Sequence, residues 1–391
     1  MTPAARLQAA AEILDLVTAS ARDDGPPADA IVTRYFKTRR YAGSKDRRAV
    51  RELVFRAIRR TGERPASGRA AIVGLAGDDP DMQPLFGEPR GPDPLIEGEP
   101  ASPGGIVPAW LQAELSPLVS DDEWPALVER APLDLRVNAA WTNRDAMLRA
   151  FPDAVPTRLS PWGLRLPADS RIDDNGPYAD GLIEVQDEGS QLIALACAPV
   201  AGMRILDLCA GAGGKALALA AAAPAATILA SDSNRNRLAK LPPRAERAGA
   251  EIEPRLINPP RELDDLDDWR GQADLVLVDA PCSGSGTWRR NPEARWRLTP
   301  DRLDRLVDVQ ERLLDLASEL VRPGGAVVYA VCSLLRAEGA GQAQRFLGLR
   351  SGWTAQDVLD GAGRADGPGR LLTPAKDQTD GFFVARFMKP C

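Results

Sequence analysis

Two short blocks carry the reactive side chains. "VDAPCSGSG" sets Asp279 and Cys282 after one apolar run, and "YAVCS" sets Cys332 after another. A thiol just past a strand is poorly placed for core packing. It is well placed for chemistry, because α/β sheets bind ligands at the carboxyl ends of their strands. The chain has five cysteines and no histidine. The missing histidine excludes Ser-His-Asp and Cys-His catalysis and every His-ligated metal site. The cysteines are odd in number and none lies in a C-x-x-C, so neither a disulfide framework nor a zinc site is expected. Cys197, within "QLIALACA", and the terminal Cys391 read as buried or incidental thiols, the common fate of free cysteine. Cys209 reads as a small packing residue beside a ligand. Two further thiols meeting at one sheet edge by chance is a poor explanation.

Two thiols, an acid and no histidine suit methylation of a pyrimidine. The C5 atom is too electron-poor to attack an activated methyl group until a thiolate adds to C6 and makes it enamine-like. A carboxyl group hydrogen-bonded to N3 stabilises the charge that develops there. The C5 proton must then leave and the thiolate be expelled, which needs a base. Asp279, Cys282 and Cys332 can fill these roles. The methyl donor would sit in "DLCAGAGGKALALAAA", a strand, a glycine turn and an Ala/Leu helix. Gly211, Gly213 and Gly214 allow close backbone approach, and the helix start offers free N–H groups. A phosphate loop fails here twice, needing glycine at Cys209 and Ser or Thr at Ala216. A dinucleotide fingerprint, with Ala216 for its third glycine, and an S-adenosylmethionine loop preceded by Asp207 both stay open. Asp232, ending "TILASD", is placed to accept from ribose hydroxyls in either case.

The elements that must position these residues follow from patterning. Ala5 to Ala19 predicts an amphipathic helix with Leu7, Ala10, Leu14 and Val17 on one stripe. Asp46 is placed to cap a second helix running to about Arg60. Gly62 to Pro108 is rich in Gly, Pro and Asp, and helical pattern resumes at Trp110–Leu118 and Trp124–Arg130. Leu133–Val137, a helix near Arg144–Phe151 and Gly163–Leu166 predict a small strand–helix–strand piece. From Leu182 onward apolar strands alternate with helices: Arg204–Cys209, Thr227–Asp232, Ala273–Pro281, Ala326–Cys332 and Gly381–Phe387. That pattern predicts an α/β fold with a parallel sheet covered on both faces. With 44% hydrophobic and 27% charged residues in 391, the chain is composed like a soluble protein of two to three domains. The N-terminal stretch carries Arg6, Glu12 and Asp15 within its apolar pattern and is no secretory signal. No apolar run reaches membrane-spanning length, and the expectation is a cytoplasmic protein. The net charge of -6 hides a basic segment: twelve Lys/Arg from Arg34 to Arg64 stand against three acids, a surplus of nine. It suits a polyanion or a solvated helix face equally. "TWRRNPEARWR" interleaves Trp288 and Trp296 with arginines, a composition able to stack bases and contact phosphates, although either tryptophan alone reads as core.

"DLCAGAGGK", "DAPCSGSGTWRRNPEARW" and "YAVCS", with "VQDEGSQL" before them and "TDGFF" after, resemble the RsmB/NSUN-type RNA cytosine-C5 methyltransferases, also called Fmu or Sun. The likeness covers Leu182 to Lys389. "RRYAGSKDRRAVRELVFRAIRR" is similar to the NusB-like helical domain of the RsmB branch. The resemblance implies a class I methyltransferase, Rossmann-like fold with a mostly parallel sheet, preceded by a helical NusB-like domain (1–130) and a small α+β RNA-binding subdomain (131–180), the catalytic domain filling 181–391. It implies S-adenosyl-L-methionine as cofactor, Cys332 as the thiol attacking C6, Cys282 as the thiol aiding release, Asp279 at the cytosine edge and Lys215 nearby. Cys209, Ala210, Gly211, Ala212, Gly213, Gly214 and Lys215, with Asp232, Asn258 and Asp279, would line the cofactor site. Arg39, Arg40, Lys45, Arg47, Arg48, Arg289, Arg290 and Arg295 would contact RNA. The partner implied is structured RNA, 16S ribosomal RNA first and transfer RNA second, bound by a monomer. Three positions depart from the family: Asn258 replaces the usual Asp, Ala212 a common Pro, and Val331 a usual Thr. A non-catalytic RNA-binding or antitermination-like factor with a vestigial methyltransferase fold is the reading from another class.

Overall fold

A computed structural model describes residues 1–23, 25–172 and 176–391. They form two compact units: Met1–Leu115 with Ser120–Glu129 and Thr287–Pro300, and Ser116–Val119 with Arg130–Gly286 and Asp301–Cys391.

The first unit is helical. Its helices are α1 (Pro3–Arg22), α2 (Ala28–Lys37), α3 (Ser44–Arg60), α4 (Gly68–Asp78) and the short α5 (Trp124–Val128). Thr2 caps α1 by accepting from the Ala5 N–H, and Pro3 opens it where no N–H is needed. The stripe of Leu7, Ala10, Leu14 and Val17 is fully buried. α3 begins two residues before the expected cap, so Asp46 lies in its first turn, where a negative charge still favours the helix. α2 escapes the sequence reading because arginine and lysine interrupt its pattern. The helix expected at Trp110–Leu118 is only a turn of 3-10 helix, Ala109–Leu111; Pro117 cannot donate into a continuing helix.

The second unit has two sheets. The smaller is antiparallel, ordered β2-β3-β1-β4, from β1 (Leu133–Val137), β2 (Val155–Pro156), β3 (Gly163–Leu166) and β4 (Ile183–Val185), with α6 (Arg144–Ala150). The larger has nine strands: β5 (Arg204–Asp207), β6 (Thr227–Asp232), β7 (Glu253–Leu256), β8 (Ala273–Asp279), β9 (Val321–Val331), β10 (Thr354–Gln356), β11 (Arg364–Asp366), β12 (Gly369–Leu372) and β13 (Phe382–Met388). Their order is β11-β12-β13-β9-β8-β5-β6-β7, with β10 also on β13. The run β9-β8-β5-β6-β7 is parallel. β13 pairs antiparallel with β9, within the mostly parallel sheet expected. A strand buried on both faces is apolar throughout whichever way it runs, so its sequence does not tell direction. Helices α7 (Glu188–Ala196) and α8 (Gly214–Ala222) flank β5 in the chain. From β5 the chain first winds outward through β6 and β7, then returns to β8 on the other side. That reversal opens a crevice at the carboxyl end of β5.

Candidate active site

Every reactive residue of the second unit lies at that crevice. β5 runs into the turn Leu208–Gly213, and Gly213 caps α8 in a left-handed conformation, φ +81°. A Cβ at Gly213 would lie 2.2 Å from Leu241 Cδ1, so glycine is required on both counts. The turn is braced on several sides. Asp232 accepts from the Gly211 N–H at 2.7 Å and the Asn234 N–H at 2.6 Å. Arg244 donates to the Ala212 carbonyl at 2.6 Å, and Arg136 of β1 donates to the Gly214 carbonyl at 2.8 Å. Glu184 of β4 in turn pairs with Arg244 and Arg247. The small sheet therefore fixes the carbonyls of the glycine turn, and the first N–H groups of α8 remain for a ligand. Burial lowers Arg136 to about 10.

Below the turn, Asp207 is 1% exposed, and its carboxyl has no side-chain hydrogen-bond partner, only the nearby Ala216 N–H. Burial, then repulsion from Asp279, raises its carboxyl to about 7. A buried carboxyl with so few partners suits a cationic ligand and opposes a pyrophosphate, so the turn fits S-adenosylmethionine better than a dinucleotide.

The loops after β8 and β9 bring the thiols together. The strands pair in register at Asp279 and Ala330, and Cys282 Sγ lies 3.3 Å from Cys332 Sγ. Beside them Lys215 Nζ forms an ion pair with Asp279 Oδ2 at 2.6 Å, and stands 5.5 Å from the centre of the Phe382 ring. Burial works against the Lys215 charge, but Asp279 outweighs it and the net shift is upward. The Cys282 thiol is pushed well above its ordinary value by its hydrogen bond to Cys332, by burial and by the Cys332 charge. Burial likewise raises Cys197 and Cys209, keeping both as inert thiols. Cys391 is exposed.

Other expected site residues fare differently. Asn258 is exposed, its amide bonded to Asp265 Oδ2 at 3.1 Å. In the helical unit Arg40, Lys45, Arg47 and Arg48 are exposed, while Arg39 is half-buried and paired with Glu12 at 3.4 Å. Arg295 requires correction. It is 1% exposed, and its guanidinium donates to the carbonyls of Ile58, Arg59 and Thr61 at 2.6, 3.0 and 3.0 Å, so no phosphate can reach it. Arg289 is also buried and Arg290 half-buried. Trp288 and Trp296 are core side chains, the Trp296 indole donating to the Thr61 carbonyl at 2.8 Å, and present no face to a base. Sequence reasoning missed Arg136, Arg244 and Glu184. Their only signal is a charge within a short strand or amphipathic helix, which ordinarily marks a solvated face.

The sheet order, the reversal at β5 and the glycine turn define a class I methyltransferase fold. Among the described residues no helix is long and apolar enough to cross a membrane, and no cluster of ligands could hold a metal. Residues 194–388 match the family described as 16S rRNA methyltransferase RsmB/F. The chain is 34% identical over 298 residues to the ribosomal RNA small subunit methyltransferase B of Xylella fastidiosa (strain 9a5c), a match covering 72% of this chain and 68% of that one. It therefore belongs to the RsmB/F methyltransferase family, and its cofactor is S-adenosylmethionine. Among solved structures it is similar to PH0851, with a TM-score of 0.76 and 21% identity over 100% of this chain and 99% of that one. It is also similar to a methyltransferase homolog protein from Pyrococcus horikoshii, with a TM-score of 0.60 and 25% identity over 68% and 89% of the two chains.

Proposed function

We propose that the protein is an RNA cytosine-C5 methyltransferase acting on 16S ribosomal RNA. The observation that carries this reading is the thiol pair, 3.3 Å apart beside the Lys215–Asp279 ion pair. S-adenosylmethionine, when bound at the turn after β5, supplies the methyl group. Cys332, on the side of Lys215, adds as thiolate to cytosine C6. Asp279, beside Lys215, faces the N3 edge and delivers a proton to N3 as the thiolate adds, which neutralises the charge on the ring and leaves the carboxylate paired with Lys215. Cys282, kept as a thiol, is the group positioned to assist release. Asp232 and Asn258 are assigned to the adenosine half of the cofactor. A target cytosine must leave any helix it belongs to before two loops can close on it, so a loop or junction in folded RNA is the substrate. Arg40, Lys45, Arg47 and Arg48 would contact phosphates of that RNA. Relatives named for the small ribosomal subunit support the choice of RNA.

The test is transfer of labelled methyl from S-adenosylmethionine to 16S RNA transcripts, with transfer RNA as the comparison. Cys332→Ala should abolish transfer with cofactor affinity within about threefold of wild type. Cys282→Ala should accumulate a covalent RNA–protein adduct that migrates slowly on a denaturing gel. Methylation by the Cys332 variant, or no adduct with any folded RNA, overturns the assignment.

A further inference from the structure

The residue following each cysteine is a serine, and both serines bond to one buried carboxylate. Glu338 is fully buried in the loop after β9. Its Oε2 accepts from the hydroxyls of Ser283 and Ser333, each at 2.5 Å. Its Oε1 accepts from the Ser283 N–H at 2.8 Å and from the Gln310 amide at 2.9 Å. The same amide donates to the Pro281 carbonyl at 2.9 Å, just before Cys282. Ser285 joins the cluster at 3.2 Å from the Ser283 hydroxyl and 3.1 Å from that of Ser333, and accepts from the Leu334 N–H at 2.8 Å. The Gly286 N–H donates to the Cys332 carbonyl at 3.0 Å. No arginine or lysine contributes to these bonds.

We propose that Glu338 is a positioning residue for the two-thiol reaction, tying the loops of Cys282 and Cys332 into one unit and deciding which thiol keeps its proton. The inference rests on the two-thiol reading above. Four hydrogen bonds to one carboxylate leave neither loop free to shift without stranding a buried polar group. The charge distribution is lopsided. Cys332 lies within electrostatic reach of the Lys215 ammonium, and Cys282 within reach of the Glu338 carboxylate, which opposes a second negative charge there. The other titratable group on the Cys282 side is Tyr329, whose hydroxyl donates to the Glu338 carbonyl at 2.6 Å and is itself held neutral by burial. Asp279 stands with Lys215 on the Cys332 side. Cys282 thus faces an uncompensated carboxylate, whereas Cys332 faces a Lys215–Asp279 pair whose charges offset.

The test compares the full-length wild type with Glu338→Gln and Ser333→Ala. Glu338→Gln keeps the shape, removes the charge and turns a donor toward donors. The expected result is a fall in kcat of about 100-fold from misplaced thiols, with cofactor affinity within twofold. Two readouts need no RNA. Alkylation of Cys282 by iodoacetamide, followed by peptide mass spectrometry, should shift to lower pH in Glu338→Gln. Cross-linking of Cys282 to Cys332 by diamide, which takes up the two electrons and two protons lost by the thiols, should slow about tenfold. Ser333→Ala keeps the charge, so it should slow cross-linking without lowering the alkylation pH. Identical alkylation profiles and cross-linking rates in wild type and Glu338→Gln overturn the proposal. Failure of the wild type to methylate any cytosine would reject the functional reading instead, and these thiol measurements would still decide the role of Glu338.

Discussion

Asp279→Asn isolates the ion pair on which the site is built. The Lys215 side chain is 10% exposed and that of Asp279 30% exposed, and they meet at 2.6 Å. Removing one partner of a buried pair leaves the other charge uncompensated, at a cost of about 3–5 kcal/mol. The partial exposure of Asp279 favours the lower end, about 3 kcal/mol. For a unit of this size that lowers the midpoint of thermal unfolding by about 6–12 °C. The pH dependence gives the sharper check. In the wild type the folded-state pKa of Lys215 is raised, so its stabilisation is complete below the unfolded value of about 10.4 and is lost as pH climbs through the folded value. In Asp279→Asn burial acts without its counterweight and lowers that pKa. The ammonium is then penalised at neutral pH, and the penalty fades as pH approaches about 10.4. The stability gap should therefore be widest near pH 7 and narrow toward pH 11, as read by circular dichroism melts across that range. A gap below 2 °C at pH 7, or one that does not change with pH, would refute the argument.

The Asp207 carboxyl, raised to about 7, binds a proton that the unfolded chain releases near pH 4, so stability should fall as pH rises between those values. Asp207→Asn should remove this slope and exceed wild type by up to about 4 kcal/mol at pH 8 in urea titrations; parallel stability curves from pH 5 to 8 would contradict it. Arg295→Ala removes three hydrogen bonds in the helical unit, although the carbonyls of Ile58 and Thr61 each keep another donor, and should cost about 1–3 kcal/mol by denaturant unfolding, leaving the salt dependence of RNA binding unchanged. A variant that folds normally but loses about one unit of salt slope would return Arg295 to the phosphate-contacting set.

The parts of the site that were legible in the sequence are those whose chemistry needs a particular residue type. Cys282, Cys332 and the glycine turn stand out because thiols and glycines are uncommon at strand ends, and the strands that precede them are plain apolar runs. The basic character of "RRNPEARWR" was legible too, but its use was not. Arg295 and Trp296 look like a nucleic-acid surface until α1, α3 and α4 are assembled around them. Burial of a guanidinium depends on carbonyls more than two hundred residues away in the chain, which no local pattern encodes. The same holds for Glu338, which sits in "AEGAG" like any loop acid and gains its meaning only when two serine loops close on it. Direction of the last strand was equally hidden, since a heptapeptide apolar but for Arg386 fits either pairing.

In the proposed reaction, the order of events at the thiols follows from what raises the Cys282 pKa. Three of its causes are the hydrogen bond to Cys332, the charge of Cys332 and the charge of Glu338. While Cys332 is a free thiolate, all three hold the proton on Cys282. Once Cys332 Sγ is bonded to C6, its charge is gone and it is only a weak thioether acceptor, so two of the three fall away together. Cys282 becomes more acidic at the moment when a base is needed for the C5 proton. Addition of one sulfur thus arms the other, and no histidine is required. On this reading, decay of the methylated adduct in rapid-quench experiments should accelerate about tenfold per pH unit until Cys282 is fully deprotonated in the adduct. The Glu338 carboxylate opposes a charge on Cys282 throughout, so Glu338→Gln should move the decay profile to lower pH and leave its slope intact. A decay rate that ignores pH in the wild type would show that some other group takes the proton, and the thiol pair would then serve addition alone.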